Sequence, residues 1–296
     1  MGKSRNLKNR RSSVDPQTAH NRLHDKLDEL EHILGPLGQR FSSAGFELAL
    51  VGGSVRDALL GRPMPDLDFT TDAHPDDILR LIADWVDTHW DIGREFGTIG
   101  AVKSGVQIEI TTYRAEAYEE DSRKPVVAFG TDLDADLVRR DFTIGAMAIR
   151  LPSKTFVDPH QGFDDLIAGR IRTPGAAADS FSDDPLRMMR AARFAAQLGF
   201  TPAPEVVAAM TDMADRIEII SAERVQVELV KLITGIDPVA GIDLLVRTGI
   251  ADHVLPEVSG LQLETDEHHR HKDVYQHSLT VLRQAVELEE IGRAHV

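Results

Sequence analysis

Apolar residues recur at helical spacing over the first part of the chain, from about Pro16 to Leu34. Gly35-Pro36 interrupts this pattern, so we expect one leading helix that ends there. Residues 1–11 are basic and polar. Residues 1–44 are therefore predicted to be a basic tail followed by a leading helix.

Strand and helix patterns alternate between residues 45 and 175. Helical spacing predicts helices over 54–60 and 75–89, and Ser104-Gly105 predicts the turn of a hairpin. Residues 113–134 are charged and show no period, so a mobile loop is expected there. Short strands are predicted from apolar or alternating runs over 46–51, 66–70, 99–103, 106–112, 143–150 and 155–157.

Helical patterns dominate beyond Asp184, over residues 185–198, 204–213, 222–233 and 238–248. A connector is expected over 175–183, where Gly175 precedes a run of small residues. The sequence thus predicts an α/β head over 45–175, with a small mixed or antiparallel sheet and helices. An all-helical neck and body is predicted to follow over 176–265.

The composition excludes several classes of protein. With 296 residues, of which 42% are hydrophobic, the chain can form one large core or two modest ones. No apolar run reaches the length of a membrane span, and residues 1–11 lack the apolar segment of a secretory signal, so a cytoplasmic protein without a membrane partner is expected. The absence of cysteine excludes disulfides, thiolate catalysis and cysteine-bound zinc.

The formal net charge of −15 argues against nucleic-acid binding, because phosphate contact depends on Lys and Arg. Local charge can differ from net charge, and basic residues cluster at three places along the chain. They are Lys3, Arg5, Lys8, Arg10 and Arg11; Arg139 and Arg140; and Arg187, Arg190 and Arg193. The clusters are compatible either with a basic groove or with a solvated tail and solvated helix faces.

A glycine pair and an aspartate pair lie close together in the predicted head. Gly52 and Gly53 stand between a predicted strand and a predicted helix, where backbone N–H groups can approach an anion. Asp66 and Asp68 are two apart on a predicted strand, so their carboxylates share a face. Such a pair favours a divalent cation between the acids; two solvated acids on an exposed strand are the alternative.

These two elements resemble the GGxxRD and DxD motifs of the class II tRNA nucleotidyltransferase and bacterial poly(A) polymerase family, within the DNA polymerase beta superfamily. The resemblance implies a nucleotidyltransferase fold for the head, Mg²⁺ (or Mn²⁺) held by the catalytic Asp66 and Asp68, and support of the phosphate site by Arg56. Glu109, on a neighbouring predicted strand, is a candidate third metal ligand. A surface glutamate is the alternative for Glu109.

Arg139-Arg140-Asp141-Phe142-Thr143 opens a predicted strand. Guanidinium groups match phosphate oxygens and a carboxylate can accept from a ribose hydroxyl, although a salt-bridged strand start is also compatible. The five residues match the family motif RRDFT, which implies that Arg140 and Asp141 contact the incoming nucleotide, with Asp141 at the sugar. The family usually continues Ile-Asn-Ala, whereas this chain has Gly145 in the place of the asparagine.

Asp184 and Arg187 are three apart at a predicted helix start, so they share a face and offer an acceptor beside a donor. That pair fits the amine and ring nitrogen of cytosine and adenine, and a mismatched base would leave buried groups unpaired at about 1–3 kcal/mol each. Ordinary helix capping is the alternative. The residues resemble the family's EDxxR element, with Asp183 in the place of glutamate.

Arg224 and Glu228 resemble the family's neck helix, which braces the template arginine; an ordinary surface helix pair is the alternative. Arg190 and Arg193 are expected to support this nucleotide-binding region. Residues 266–296, with His268 to His277, resemble the truncated start of an HD-type domain. Because the chain ends at Val296 before a His-Asp dyad, no complete HD metal site is expected.

The family resemblance, over about residues 45–250, implies metal-dependent, template-independent addition of CMP and AMP to the 3′ end of tRNA. ATP and CTP would be the substrates and tRNA the partner. One alternative is a poly(A) polymerase, which shares these motifs. The other is a non-catalytic RNA-binding protein on a transferase fold.

Overall fold

The structure, a computed structural model, describes residues 14–115, 128–130, 132–263 and 274–293. The chain divides into two units, of which the first ends at Ala168 and the second begins at Gly169. The predicted boundaries at 44, 175 and 265 stay a prediction. Some sequence predictions concern residues outside the described ranges: the basic tail from Lys3 to Arg11, the charged run 119–124, and the histidines from His268 to His271.

The leading segment forms two helices. α1 (Pro16–Glu29) ends at Leu30, and α2 (Glu31–Ser43) follows directly and continues through Gly35-Pro36. The predicted helix end at Gly35-Pro36 was therefore wrong. Burial outweighs the cost of the internal proline: an interior proline costs about 3 kcal/mol, whereas each large apolar side chain that is buried contributes roughly 1.5–3 kcal/mol. The large apolar side chains that α2 buries are Ile33, Leu34, Leu37 and Phe41.

A mixed sheet forms the centre of the first unit. Its strands are β1 (Leu48–Val51), β2 (Asp66–Thr71), β3 (Thr88–Trp90), β4 (Thr98–Lys103), β5 (Val106–Thr112), β8 (Ala148–Leu151) and β9 (Thr155–Val157), while β6 (Arg114–Ala115) and β7 (Ala128–Phe129) form a separate pair. The order in the sheet is β3-β4-β5-β2-β1-β8-β9, with β2 parallel to β5 and antiparallel to β1. The predicted hairpin is confirmed: Lys103 pairs with Val106 across a turn in which Ser104 and Gly105 both have positive φ.

Helices flank this sheet and connect its strands. They are α3 (Gly53–Leu60), α4 (Pro75–Ile82), α5 (Leu133–Val138) and α6 (Gly162–Ala168), with 3-10 turns at Arg94–Phe96 and Thr143–Gly145. The predicted helix 75–89 is too long, because Thr88–Trp90 pairs with β4 and the Trp90 ring covers Gly100, where any Cβ would collide with it.

The predicted strand 143–150 begins only at Ala148. The residues before it form the 3-10 turn, in which Thr143 Oγ1 donates to Asp165 Oδ2 at 2.7 Å. Both residues are fully buried. This side-chain bond favours a turn over a strand, because it satisfies a buried carboxylate at that position.

The second unit is mainly helical. Its helices are α7 (Ala177–Asp183), α8 (Leu186–Leu198), α9 (Pro204–Asp212), α10 (Ala222–Ile233), α11 (Pro238–Arg247), α12 (Ile250–Val254), α13 (Pro256–Gly260) and α14 (Val274–Arg293), with 3-10 turns at Ala214–Ile219 and Leu261–Leu263. A short parallel pair, β10 (Arg170–Ile171) and β11 (Thr201–Pro202), was not predicted. The predicted connector contains α7, which buries Ala177, Ser180 and Phe181 on one face.

α8 is the central helix of the second unit, and it packs against α10 and α11. The approach to α11 is close: a Cβ on Gly241 would lie 2.9 Å from the Ala192 carbonyl oxygen. The predicted fold class, an α/β head followed by a helical region, is confirmed. In the residues that are described, no helix combines the length and the apolar character needed to cross a bilayer.

Candidate active site

A glycine turn connects β1 to α3. Gly52 has φ 66°, a conformation that residues with a side chain rarely adopt, and a Cβ there would lie 2.9 Å from Arg140 Nη1. The first turn of α3 begins immediately at Gly53. Because the first N–H groups of a helix have no intrahelical acceptor and carry the positive end of its dipole, this turn fits an anion such as a phosphate.

Three carboxylates lie on one face of the sheet beside that turn. Asp66 and Asp68 are alternate residues of β2, and Asp68 pairs with Glu109 in the parallel register of β5. A Cβ on Gly53 would lie 3.9 Å from Asp68 Oδ2. The structure therefore brings together the glycine pair and the acids that the sequence singled out.

The charge of Asp68 is disfavoured in this position. Burial, followed by the charges of Asp66 and Glu109, raises its pKa to about 6, while Arg140 and Arg56 act in the opposite direction. A divalent cation beside these acids would offset the same repulsion.

The donors fit Mg²⁺ or Mn²⁺, since carboxylate oxygens are the ligands that these ions prefer. Asp66 and Asp68 would hold the ion. Across the described ranges, no group of three or more His, Asp or Glu side chains is already arranged around a metal position. The participation of Glu109 as a third ligand stays a prediction.

Ser54 joins the glycine turn to the carboxylate strand. Its hydroxyl accepts a hydrogen bond from Asp68 N at 3.0 Å and donates to the Asp66 carbonyl at 3.4 Å. Only 3% of the residue is exposed. This role of Ser54 could not be predicted from the motif, because nothing local shows that its hydroxyl reaches a strand twelve residues later.

Two arginines reach the site, and each is held by an aspartate: Asp57, the last residue of the GGxxRD motif, and Asp136, which was not predicted. Arg56 donates from Nε and Nη2 to both oxygens of Asp57, at 3.0 and 2.7 Å. Arg140 donates from Nη2 to Asp136 Oδ2 at 3.2 Å. The spacing of four residues between Asp136 and Arg140 was a usable signal for that pair.

Asp141 follows Arg140 in the chain, three residues after the end of α5. Its Oδ1 accepts from Phe142 N at 2.9 Å, and a Cβ on Gly145 would lie 3.4 Å from the same oxygen. An asparagine at position 145 would therefore place its amide near the Asp141 carboxylate. With glycine, this chain lacks that contact.

A second set of candidate residues lies in the second unit. Asp184 occupies the junction of α7 and α8, where Oδ1 accepts from Leu186 N at 3.2 Å and Oδ2 accepts from Arg224 Nη2 at 3.2 Å. The helix-start contact that was the alternative interpretation is thus present. Arg187 Nη1 donates to the Ser180 hydroxyl at 2.8 Å and to its carbonyl at 3.3 Å.

Glu228 is buried between two arginines of α8. Its side chain is 5% exposed, and its oxygens lie 3.5 Å from Arg190 Nε and 3.2 Å from Arg193 Nε. This burial excludes an ordinary surface pair of Arg224 with Glu228. Both residues of α10 reach across to α8 or its start, whereas the specific bracing of Arg187 stays a prediction.

Comparison with known protein families identifies two regions of the chain. Residues 48–172 match the Poly A polymerase head domain. Residues 199–261 match the family described as a probable RNA and SrmB-binding site of polymerase A. The first match covers the glycine turn, the carboxylates and Arg140.

Curated and solved relatives are CCA-adding enzymes. The enzyme of Levilactobacillus brevis is 44% identical over 229 residues, which cover 75% of this chain and 56% of the relative. The Bacillus stearothermophilus enzyme in complex with CTP is 35% identical with a TM-score of 0.69, over 76% of this chain and 54% of that one. The Thermotoga maritima enzyme complexed with tRNA is 26% identical with a TM-score of 0.66. The match covers 81% of this chain and 56% of that one.

The chain thus spans little more than half the length of these relatives. The structural matches confirm the nucleotidyltransferase fold predicted for the head. The head-domain match, the RNA-binding match and the identities with the relatives together show that this chain belongs to the family of class II tRNA nucleotidyltransferases and poly(A) polymerases.

Proposed function

We propose that this chain adds CMP and AMP to the 3′ end of tRNA without a nucleic-acid template. The observation that carries the proposal is the position of Asp66 and Asp68, side by side on β2 and next to a glycine turn. Carboxylates at that position suit a phosphoryl-transfer site. The relatives that are named as CCA-adding enzymes indicate which transfer it is.

In this reaction the terminal 3′-hydroxyl of the RNA attacks the α-phosphorus of CTP or ATP. A new P–O bond forms, the bond from the α-phosphorus to the bridging oxygen breaks, and pyrophosphate leaves. The glycine turn and Arg140 bind the phosphates, with Arg56 beside them, and Asp141 accepts from the ribose. When bound at Asp66 and Asp68, Mg²⁺ or Mn²⁺ would neutralise phosphate charge and favour ionisation of the attacking hydroxyl.

Base choice is proposed to depend on Asp184 and Arg187. A carboxylate has about four lone-pair positions, so Asp184 can accept from a base amine while it also accepts from Arg224. On their Watson–Crick edges, cytosine and adenine both present an amine beside a ring-nitrogen acceptor, whereas uracil and guanine present a carbonyl beside a ring N–H at those places. This chemistry supports CTP and ATP as the substrates.

The test is incorporation into a tRNA that ends at the discriminator base, with labelled CTP and ATP and Mg²⁺, resolved on a sequencing gel. The parent chain should extend the tRNA by C, C and A. The double substitution Asp66→Asn with Asp68→Asn should reduce the rate by about a thousandfold or more, since it removes both carboxylates that would hold the divalent cation at the transferring phosphate. Asp91→Asn, at an exposed position of the same unit, should retain the parent rate.

The other outcomes identify the rival functions. Repeated addition of AMP alone to any RNA 3′ end would identify a poly(A) polymerase. If the folded parent chain bound tRNA but incorporated no nucleotide, a non-catalytic RNA-binding protein would be the better description. The cytoplasmic location stays a prediction.

A further inference from the structure

Asp136, on α5, is a buried carboxylate at the point where three segments of the head meet. Its side chain is 11% exposed. Oδ2 accepts from Thr70 Oγ1 at 3.3 Å and from Arg140 Nη2 at 3.2 Å, and Oδ1 accepts from Arg114 N at 3.3 Å. These bonds connect β2, the start of β6 and the arginine that follows α5.

We infer that Asp136 is a positioning residue that holds the guanidinium of Arg140 against the glycine turn. The inference rests on the proposed function, in which Arg140 binds the triphosphate. Asp136 itself touches neither the nucleotide nor the reacting atoms, so its effect passes through Arg140.

Two contacts fix the plane of the guanidinium. Nη2 is bonded to Asp136, and Nη1 faces the turn, where a Cβ on Gly52 would lie only 2.9 Å away. Because the guanidinium is planar, the bond from Nη2 restricts the directions in which Nη1 can point. Arg140 therefore presents Nη1 where the glycine turn would receive phosphate oxygens.

The charges around Asp136 explain why its removal would matter. A buried carboxylate is costly unless cations offset it, and Asp136 is surrounded by them. Burial lowers the pKa of Arg114, the charges of Arg139 and Arg140 lower it further, and the charge of Asp136 raises it. Arg140 also acts electrostatically on Asp68, so loss of the Asp136 charge would leave Asp68 as a competing acid for the same guanidinium.

Thr70 couples this arrangement to the carboxylate strand. It is two residues after Asp68 on β2, so both side chains project from the same face, and it is 1% exposed. Oδ2 of Asp136 accepts from both Thr70 and Arg140. The Asp136 side chain therefore links the position of Arg140 to β2, the strand that carries Asp66 and Asp68.

The test compares Asp136→Asn with Asp134→Asn, which removes an exposed carboxylate from the same helix. Affinity for inorganic tripolyphosphate is measured by titration calorimetry, and KM and kcat are measured for CTP incorporation. Asp136→Asn should weaken tripolyphosphate binding and raise KM by about tenfold, with kcat within about threefold of the parent. Asp134→Asn should leave all three values unchanged. An unchanged tripolyphosphate affinity in folded Asp136→Asn would overturn the inference.

A double-mutant cycle separates positioning from general support of the fold. In an Arg140→Gln background, Asp136→Asn should cause no further loss, because the group it orients is absent. A second tenfold loss in that background would show that Asp136 acts by another route. If Asp136→Asn does not fold by circular dichroism, Thr70→Val replaces it, with an expected loss of about threefold, and an unchanged affinity would again overturn the inference.

The tripolyphosphate measurement also keeps the two proposals apart. If the parent chain binds tripolyphosphate but does not extend tRNA, the proposed function fails while the positioning role is still measured. If the parent extends tRNA and Asp136→Asn leaves KM unchanged, the positioning role fails while the proposed function stands.

Discussion

The carboxylates of Asp66 and Glu109, which lie beside Asp68 at the candidate metal site, make its negative charge unfavourable. It is partly buried, two carboxylates face it, and its pKa is raised from 3.8 to about 6. A group whose pKa is higher in the folded state destabilises that state when it is ionised. Near neutral pH, the protein without a divalent cation therefore loses stability because this side chain is charged.

We expect Asp68→Asn to be more stable than the parent by about 1–2 kcal/mol at pH 7 in EDTA. The advantage should be complete above pH 6, decline as the pH falls through 6, and disappear near 3.8, where the unfolded chain also takes up the proton. Scanning calorimetry over this pH range measures it.

Magnesium provides the control for that measurement. Mg²⁺ should raise the Tm of the parent and have little effect on Asp68→Asn, since a ligand stabilises only the form that binds it. An equal rise in both proteins would contradict the assignment of Asp68 as a metal ligand.

Gly52 is the second residue whose local conformation limits what can replace it. Gly52→Ala should lower the stability of the fold by about 1–2 kcal/mol, because alanine disfavours the positive φ of this position. It should also weaken tripolyphosphate binding by about tenfold, because the new methyl group displaces Arg140. Calorimetric titration and thermal unfolding measure the two effects.

Gly105→Ala is the matched control. Gly105 also has a positive φ, but nothing lies within 4 Å of its Cβ position. We expect this variant to lose similar stability and to keep the parent affinity for tripolyphosphate. Equal losses of affinity in both variants would show that backbone strain, and not the position of Arg140, explains the effect.

At the level of elements, α10 is attached to α8 by charge as well as by apolar packing. Glu228 lies between Arg190 and Arg193 with 5% of its side chain exposed, and Arg224 reaches Asp184 at the start of α8. One helix thereby determines the position of both the candidate template carboxylate and the arginines that follow it.

Glu228→Gln should destabilise the second unit by about 2–4 kcal/mol, because it removes the charge of a buried carboxylate that lies within 3.5 Å of two arginines. Glu223→Gln, on the exposed face of the same helix, should change stability by less than about 0.5 kcal/mol. Thermal unfolding followed by circular dichroism measures both. A small effect of Glu228→Gln would mean that apolar contacts alone hold α10 on α8.

At the level of the whole molecule, the periodicity of apolar residues predicted helices and strands correctly where the local spacing matches the side chains that are buried. The helices α8, α10 and α11 and the hairpin of β4 with β5 were predicted almost to the residue. The failures come from contacts distant in sequence. Pro36 remains helical because α2 is buried, and Trp90 joins a strand because Gly100 accepts its ring.

The residues of the candidate site likewise divide into those indicated by local motifs and those that depend on contacts distant in sequence. Asp66, Asp68, Gly52 and Arg140 stand in short motifs, so the sequence alone indicated them. The pairing of Asp136 with Arg140 could have been predicted from their spacing, but its bond to Thr70 could not, because Thr70 is 66 residues away and such a bond exists only after the sheet has formed. Side chains that position others are therefore harder to predict than those that meet the substrate.

The two hydrogen bonds of Ser54 have a consequence for how the chain tolerates change. They attach the first turn of α3 to β2. The distance between the glycine turn and the carboxylates therefore does not depend on the connecting residues 61–65. Insertions in that connection should leave the chemistry intact. The Ser54 hydroxyl thus preorganises the glycine turn relative to the carboxylates, which reduces the ordering that a nucleotide must cause when it binds.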